Sequence, residues 1–166
     1  MSRAQEPSAP GPALREPAPE LGLRDQHGAE VTLSSLRGRP VLVVFYPYAF
    51  SGVCTGELHA LRDRSDELEG MGAAVVGVSC DPMFSLRVFA DRDGIEFPLL
   101  SDFWPHGAAA RRYGVLDERH GCPRRSTFLV DDEGVLRWSL HHGMGEARDV
   151  DDYVRALDGL GVTGER

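Results

Sequence analysis

The sequence predicts an α/β fold in which a mixed central β-sheet is flanked by helices and preceded by an N-terminal β-hairpin. Two apolar runs, 41–46 and 74–79, have the composition of strands that are buried on both faces, and a helical pattern follows each. The segments 127–130 and 135–140 predict two strands joined by the turn 131–134, with a last helix after them. Strand–helix alternation that ends in a hairpin and a helix is typical of this class.

The remaining elements are predicted from apolar periodicity and from the glycines and prolines that bound them. They are a hairpin over 21–33, a helical turn over 34–38, a helix from Ser51 to near Gly70–Gly72, a helix over about 83–92, a strand over 97–101 and helices over 105–113 and 150–157. Residues 1–20 contain five prolines among small and polar residues, so we expect a disordered tail there. One domain is then expected over 21–162.

Composition excludes several classes of function. The net charge is −8 without a basic cluster, which argues against nucleic acid and anionic membranes as partners. We see no apolar run long enough to span a membrane and no signal peptide, so the cytoplasm is the expected location. The three cysteines show neither a Cys-x-x-Cys pair nor zinc-ligand spacing, and we expect no metal and no cofactor.

The candidate reactive residue is Cys54, which lies just after the strand 41–46 ends and where a helix begins. Ser51 is a plausible N-cap, which places Cys54 at the third position of the first helical turn. The first-turn N–H groups lack intrahelical partners and carry positive partial charge, so both features stabilise a thiolate. The alternative is that Cys54 is a small buried apolar residue, as many free cysteines are.

The segment Pro47-x-x-x-Ser51-x-x-Cys54 resembles the peroxiredoxin motif Pro-x-x-x-Thr/Ser-x-x-Cys. Its surroundings resemble the AhpE-type one-cysteine peroxiredoxins, over most of the chain from about residue 21 to about residue 160. The segments that carry this second resemblance are Leu23–Gln26, Gly56–Leu58, Phe97–Gly107, Tyr113–Val115 and Arg125–Phe128. The resemblance implies a thioredoxin-like fold, a thiol-dependent peroxidase and a homodimer or larger homo-oligomer.

The resemblance also assigns roles to individual residues. Cys54 would attack hydrogen peroxide or an organic hydroperoxide and become a sulfenic acid. Ser51 would bind helix N–H groups and the peroxide, and Pro47 would limit water at the sulfur. Of two adjacent arginines, the family register selects Arg125 as the cation beside the thiolate. Glu57, on the same side of the helix as Cys54, is expected to pair with an arginine and orient it.

Two further questions stay open in the sequence. Phe50, Phe103 and Trp104 are candidates for an apolar peroxide pocket, with core packing or a subunit interface as alternatives. The sulfenic acid is expected to be reduced by an external thiol or a thioredoxin-like reductant. Cys122 and Cys80 are alternative internal partners for an intramolecular disulfide, since both are expected near the same edge of the sheet as Cys54.

Two other functions are alternatives to a peroxidase. A thioredoxin-like thiol–disulfide oxidoreductase would need a Cys-x-x-Cys pair, whereas this chain has Cys54-Thr-Gly-Glu57. A non-catalytic thioredoxin-like binding domain would not need the motif residues and Arg125 together.

Overall fold

The computed structural model describes residues 11–161 and contains a mixed sheet with helices on both faces. The strands are β1 (Leu23–Arg24), β2 (Glu30–Val31), β3 (Val41–Phe45), β4 (Ala74–Ser79), β5 (Leu99–Ser101), β6 (Leu116–Asp117), β7 (Cys122–Pro123), β8 (Arg125–Val130) and β9 (Leu136–His142). The helices are α1 (Gly52–Asp63), α2 (Ser65–Gly70), α3 (Met83–Asp93), α4 (Ala108–Arg112) and α5 (Val150–Gly159), with a 3₁₀ turn at Ser34–Leu36. The predicted fold class is confirmed, including the N-terminal hairpin β1–β2.

The central strand β3 positions the candidate site. The main sheet has the order β2-β1-β5-β4-β3-β8-β9, and β3 runs parallel to β4 and antiparallel to β8. Every residue of β3 and β4 is buried, as their continuous apolar runs predict, and every residue of β8 is buried as well, including Arg125. Because Phe45 pairs with Ser126, the end of β3 and the start of β8 meet at one edge of the sheet. The segment that carries Cys54 therefore leaves the sheet next to Arg125.

The core is divided by the sheet into two clusters. One lies under α1, α3 and α5 and contains Tyr46, Cys54 and Leu58. The other lies under α4 and the N-terminal residues and contains Phe45 and Cys80. Alternate residues of β3 enter alternate clusters, as the two-residue period of a strand requires.

Two predicted helices have different bounds. The helix expected from Ser51 to Gly70–Gly72 is broken at Arg64, which has φ −110° and ψ 11°. The Ser65 hydroxyl donates to the Arg62 carbonyl at 2.8 Å and so competes with the helical backbone. The helix expected at 105–113 begins only at Ala108, because Gly107 before it is left-handed, with φ 72°. The small antiparallel pair β6–β7 was not predicted from the sequence.

The expected disordered tail needs a correction for its described part. Residues 1–10 lie outside the described residues, but residues 15–18 pair with the start of β9. Arg15 donates its N–H to the Leu136 carbonyl at 2.7 Å, and the Leu136 N–H donates to the Glu16 carbonyl at 2.9 Å. Prolines do not prevent this, since a sheet edge needs only some of the N–H groups of an added segment.

Membrane insertion has no candidate helix in the described part of the chain. Between residues 11 and 161, none of the helices has the length and apolar character that crossing a bilayer requires.

Candidate active site

Cys54 lies in the first turn of α1, directly after the edge at which β3 ends. The helix begins at Gly52, so Cys54 occupies its third position, as predicted. Its side chain is 0% exposed and packs among Tyr46, Leu58 and their neighbours in the cluster under α1.

Ser51 occupies the N-cap position with an extended backbone, φ −73° and ψ 150°, but its side chain does not cap the helix. The hydroxyl donates instead to the Tyr48 carbonyl at 3.0 Å. The expectation that Ser51 accepts from helix N–H groups is therefore wrong for this structure. Since the first-turn N–H groups have no intrahelical partner, they stay available to another acceptor.

Hydrogen bonds connect the loop 47–51 to the turn after β4 and to the turn before β7. Pro47 is buried, and the Ala49 N–H donates to Oδ2 of Asp81 at 2.9 Å. The Tyr48 hydroxyl donates to the His120 carbonyl at 2.8 Å. The sequence indicated only a chain break at Asp81, because the pattern Asp-Pro is typical of a turn. No local signal indicated that its carboxylate binds the Cys54 loop.

Glu57, one turn after Cys54, binds two buried arginines. Arg125 at the start of β8 donates its Nη1 to Oε1 of Glu57 and its Nε to the Met144 carbonyl, the second at 2.7 Å. Arg148 donates its backbone N–H and its Nε to Oε2 of Glu57, at 2.6 and 2.8 Å. Arg125 and Arg148 are only 2% and 5% exposed. The prediction that an arginine pairs with Glu57 is thus met by two arginines, and Arg148 was missed.

The electrostatics of this cluster favour an anion nearby. Burial alone would raise the pKa of Glu57, but hydrogen bonds and charge from Arg148, together with the charge of Arg125, lower it. One ionised carboxylate then faces two guanidinium groups, which leaves an excess positive charge one helical turn from Cys54. Such a charge stabilises a thiolate and the negative charge that develops when a peroxide bond breaks.

The aromatic residues expected around a peroxide pocket lie further out. Phe50 has φ 69° and packs against Phe89 with ring centroids 5.0 Å apart, while Arg92 stacks over it at 4.8 Å. Trp104 is 81% exposed, so in the single chain its side chain neither packs in the core nor lines an enclosed pocket. Core packing is therefore excluded for Trp104, and a subunit interface remains.

The other two cysteines are free thiols in buried positions, as is Cys54. Cys80 packs in the cluster on the face of the sheet opposite to Cys54, and burial raises its pKa to about 12. Cys122 is also fully buried, and its pKa is raised by burial. The Tyr48 hydroxyl contacts the Cys122 thiol, and this contact helps to raise the pKa of Tyr48 to about 12. Cys122 therefore lies beside the loop that precedes Cys54.

Nothing in residues 11–161 resembles a metal centre, since no three His, Cys, Asp or Glu side chains converge in a way that could hold an ion.

Several known proteins are similar to this chain in sequence. Residues 14–139 match the model of the AhpC/TSA family. Alkyl hydroperoxide reductase E of Mycobacterium tuberculosis is 44% identical over 144 residues, which cover 86% of this chain and 94% of that protein. Peroxiredoxin 2 of Thermoplasma acidophilum is 31% identical over 159 residues, or 92% of this chain and 78% of that protein.

The fold is also similar to that of solved structures. The crystal structure of Enterococcus faecalis AhpC matches with a TM-score of 0.82 and 28% identity, covering 92% of this chain and 96% of that one. Fold and site together define a peroxiredoxin, a thiol-dependent peroxidase with a thioredoxin-like fold. The chain belongs to the AhpC/TSA family, and the resemblance to the AhpE-type proteins is confirmed. A disulfide oxidoreductase is not favoured, because Glu57, bound by two arginines, stands where the second cysteine would be.

Proposed function

We propose that Cys54 is the residue that reduces the hydroperoxide. Its thiolate attacks the terminal oxygen of ROOH, the O–O bond breaks, and the products are Cys54 sulfenic acid and the alcohol ROH, or water from hydrogen peroxide. The proton taken up by the leaving oxygen balances the one that the thiol lost on ionisation. The observation that carries this proposal is the position of Cys54 in the first turn of α1, one turn from the carboxylate that holds two guanidinium groups.

The neighbouring residues act on charge and access. The N–H groups of Val53 and Cys54 bind the developing negative charge, since the Ser51 side chain does not occupy the helix end. The Ser51 hydroxyl donates to the Tyr48 carbonyl, so its oxygen remains free to accept a hydrogen bond from the peroxide, and buried Pro47 limits water in the loop. Glu57 holds Arg125 in place, and Arg125 supplies the cation.

The names of the mycobacterial relatives support organic alkyl hydroperoxides as substrates beside hydrogen peroxide, and Phe50 offers apolar surface at the loop.

The test is a single-turnover reaction of the reduced protein with about one equivalent of peroxide. Tryptophan fluorescence follows the rate, and a dione that traps sulfenic acids, with mass spectrometry, identifies the modified residue. We expect the label on Cys54, no reaction in Cys54→Ser, and a rate about 100-fold lower in Arg125→Ala, as for the loss of one charge-stabilising donor. Equal rates for the wild type and Cys54→Ser would contradict the proposal.

We further propose that an external thiol reduces the sulfenic acid. The first thiol forms a mixed disulfide with Cys54 and releases water, and a second thiol then releases reduced Cys54. The raised pKa values of Cys80 and Cys122 support this, because a neutral buried thiol is a poor nucleophile. The three free thiols suit a reducing cytoplasm, which is the location we propose.

Cys122 is the internal alternative, because it contacts the Cys54 loop through Tyr48. Mass analysis without reductant after one equivalent of peroxide separates the two routes. A persistent sulfenic acid supports the external thiol. An internal disulfide that disappears in Cys122→Ser, but not in Cys80→Ser, would replace that route with Cys122.

We also propose that the protein forms a homodimer through an exposed apolar patch formed by Tyr48, Phe103 and Trp104. Tyr48 and Phe103 lie around the same turn, because the Phe103 ring faces His106, whose Nε2 bonds the Gly121 carbonyl at 2.6 Å, and the Tyr48 hydroxyl bonds the carbonyl of the preceding residue, His120. Exposed aromatic clusters of this kind are typical of interfaces.

Sedimentation velocity tests the dimer. Trp104→Glu should give a monomer, whereas Leu14→Glu, a matched change at an exposed apolar residue beside α5, should not. A wild-type protein that sediments as a monomer at micromolar concentration would contradict the proposal.

A further inference from the structure

The Tyr46 hydroxyl is a polar group that the site described so far does not use. Tyr46 is 0% exposed, and its hydroxyl has no hydrogen-bond partner within the described residues. Burial raises its pKa, so the hydroxyl keeps its proton and remains a donor at neutral pH. A wholly buried phenol without an acceptor is uncommon in a folded protein and calls for a physical reason.

The fold places this tyrosine close to Cys54. Tyr46 directly precedes Pro47, and its backbone N–H donates to the Val78 carbonyl at 3.0 Å, which fixes the residue at the end of β3. Its ring lies over Gly77, where an added Cβ would be 3.2 Å from Cε1 of Tyr46. Tyr46 and Cys54 belong to the same buried cluster, and a negative charge on Cys54 acts on the Tyr46 hydroxyl.

Two other polar side chains lie near the Tyr46 hydroxyl, those of Asp81 and Ser79. Oδ2 of Asp81 already accepts from the Ser79 hydroxyl at 2.7 Å and from the Ala49 N–H at 2.9 Å. The Ser79 side chain lies close enough to the Tyr46 hydroxyl to lower its pKa, but the two oxygens do not have the geometry of a hydrogen bond. A neutral thiol is a weak acceptor, which leaves the hydroxyl unpaired until the sulfur carries charge.

We propose that the Tyr46 hydroxyl donates a hydrogen bond to the ionised sulfur of Cys54 and is a further catalytic residue of the peroxidase. The inference rests on Cys54 being the reacting thiol. In a buried, water-poor site, a neutral donor stabilises the thiolate without adding another charge to the cluster around Glu57. Tyr46 follows β3 in the central sheet, whereas the guanidinium of Arg125 is held beside the site by Glu57.

Tyr46→Phe tests this, because it removes the oxygen and keeps the ring. Iodoacetamide labelling across a pH series, with mass spectrometry of the Cys54 peptide, reports how readily this thiol ionises. We expect the midpoint of the labelling profile to move up by about one pH unit, as for one lost hydrogen bond to a charged group. The rate of sulfenic acid formation at pH 7 should fall about tenfold.

Tyr113→Phe is the matched control. Tyr113 is buried on the opposite face of the sheet, where its hydroxyl donates to the Pro19 carbonyl at 2.7 Å. Its loss should leave the labelling midpoint and the peroxide rate unchanged. A wild-type midpoint and rate in folded Tyr46→Phe would overturn the inference while leaving Cys54 as the peroxidase residue. Absence of a sulfenic acid in the wild type would instead overturn the proposed function itself.

Discussion

Arg148 binds Glu57 through three donors, although the two residues are 91 positions apart. The backbone N–H and Nε donate to Oε2 at 2.6 and 2.8 Å, and one terminal nitrogen donates to Oε1 at 3.1 Å. The other terminal nitrogen donates to Oγ1 of Thr127 at 3.1 Å. This contact joins α1, β8 and the segment before α5 at one buried point, so the charge cluster also holds the fold together.

Glu57→Gln should reduce both stability and activity. The change leaves two buried guanidinium groups without their anion, and breaking a buried ion pair from one side costs about 3–5 kcal/mol. Urea denaturation measures the change in the free energy of unfolding. The matched control is Glu67→Gln, which removes an exposed ion pair with Arg64 and should change stability far less. Equal stabilities for the two variants would contradict a structural role for Glu57.

Lowering the pH should reduce the stability of the fold through protonation of Glu57. The pKa of Glu57 is lower in the folded chain than its ordinary value, so the unfolded chain binds the proton more tightly. Its contribution to stability is therefore complete above the ordinary glutamate pKa of about 4.3 and is lost as the pH falls through the folded value. Denaturation curves between neutral pH and pH 3 should show this decline, and Glu57→Gln should show a shallower one.

Arg148→Lys should impair the peroxidase although the charge is kept. A lysine ammonium cannot reproduce the Nε and terminal contacts with both Glu57 oxygens and the contact with Thr127. We expect the rate of sulfenic acid formation to fall about tenfold, because Arg125 is then less firmly held. The control is Arg124→Lys, at the partly buried arginine outside the Glu57 cluster, which should react like the wild type. A wild-type rate for Arg148→Lys would show that charge alone suffices there.

Gly77→Ala should destabilise the sheet beside the site. The added Cβ would lie 3.0 Å from Cδ2 of Leu99 and 3.2 Å from Cε1 of Tyr46, so one of these side chains must move. Overpacking of this kind costs about 1–3 kcal/mol, and thermal or urea unfolding measures it. Gly70→Ala, where an added Cβ meets no atom within 4 Å, is the control and should not destabilise the protein.

Cys80 and Cys122 should resist alkylation in the folded protein. Burial raises the pKa of Cys80 to about 12 and also raises that of Cys122, so neither thiol is ionised at pH 7. Iodoacetamide should label both only after denaturant is added, as read from the mass of each cysteine peptide. Labelling of Cys80 in the native state at the rate of a free thiol would contradict this.

The sequence by itself determined the order of the main strands and helices, without the pair β6–β7 and the break at Arg64, and the position of Cys54. The buried strands, the turn at Pro47 and the first turn of α1 are local features, set by residues within a few positions of one another. Only the family resemblance selected Arg125 over Arg124, and the expected arginine partner of Glu57 is present in the structure as Arg125.

Only the tertiary structure decided which distant groups meet at the site. Arg148 reaches Glu57 and Asp81 binds the Cys54 loop because the sheet brings separate strand and helix ends to one edge. The pairing of residues 15–18 with β9 has the same origin. Contacts of this kind leave no periodic signal in a short window, since each depends on chain segments that are neighbours only after folding.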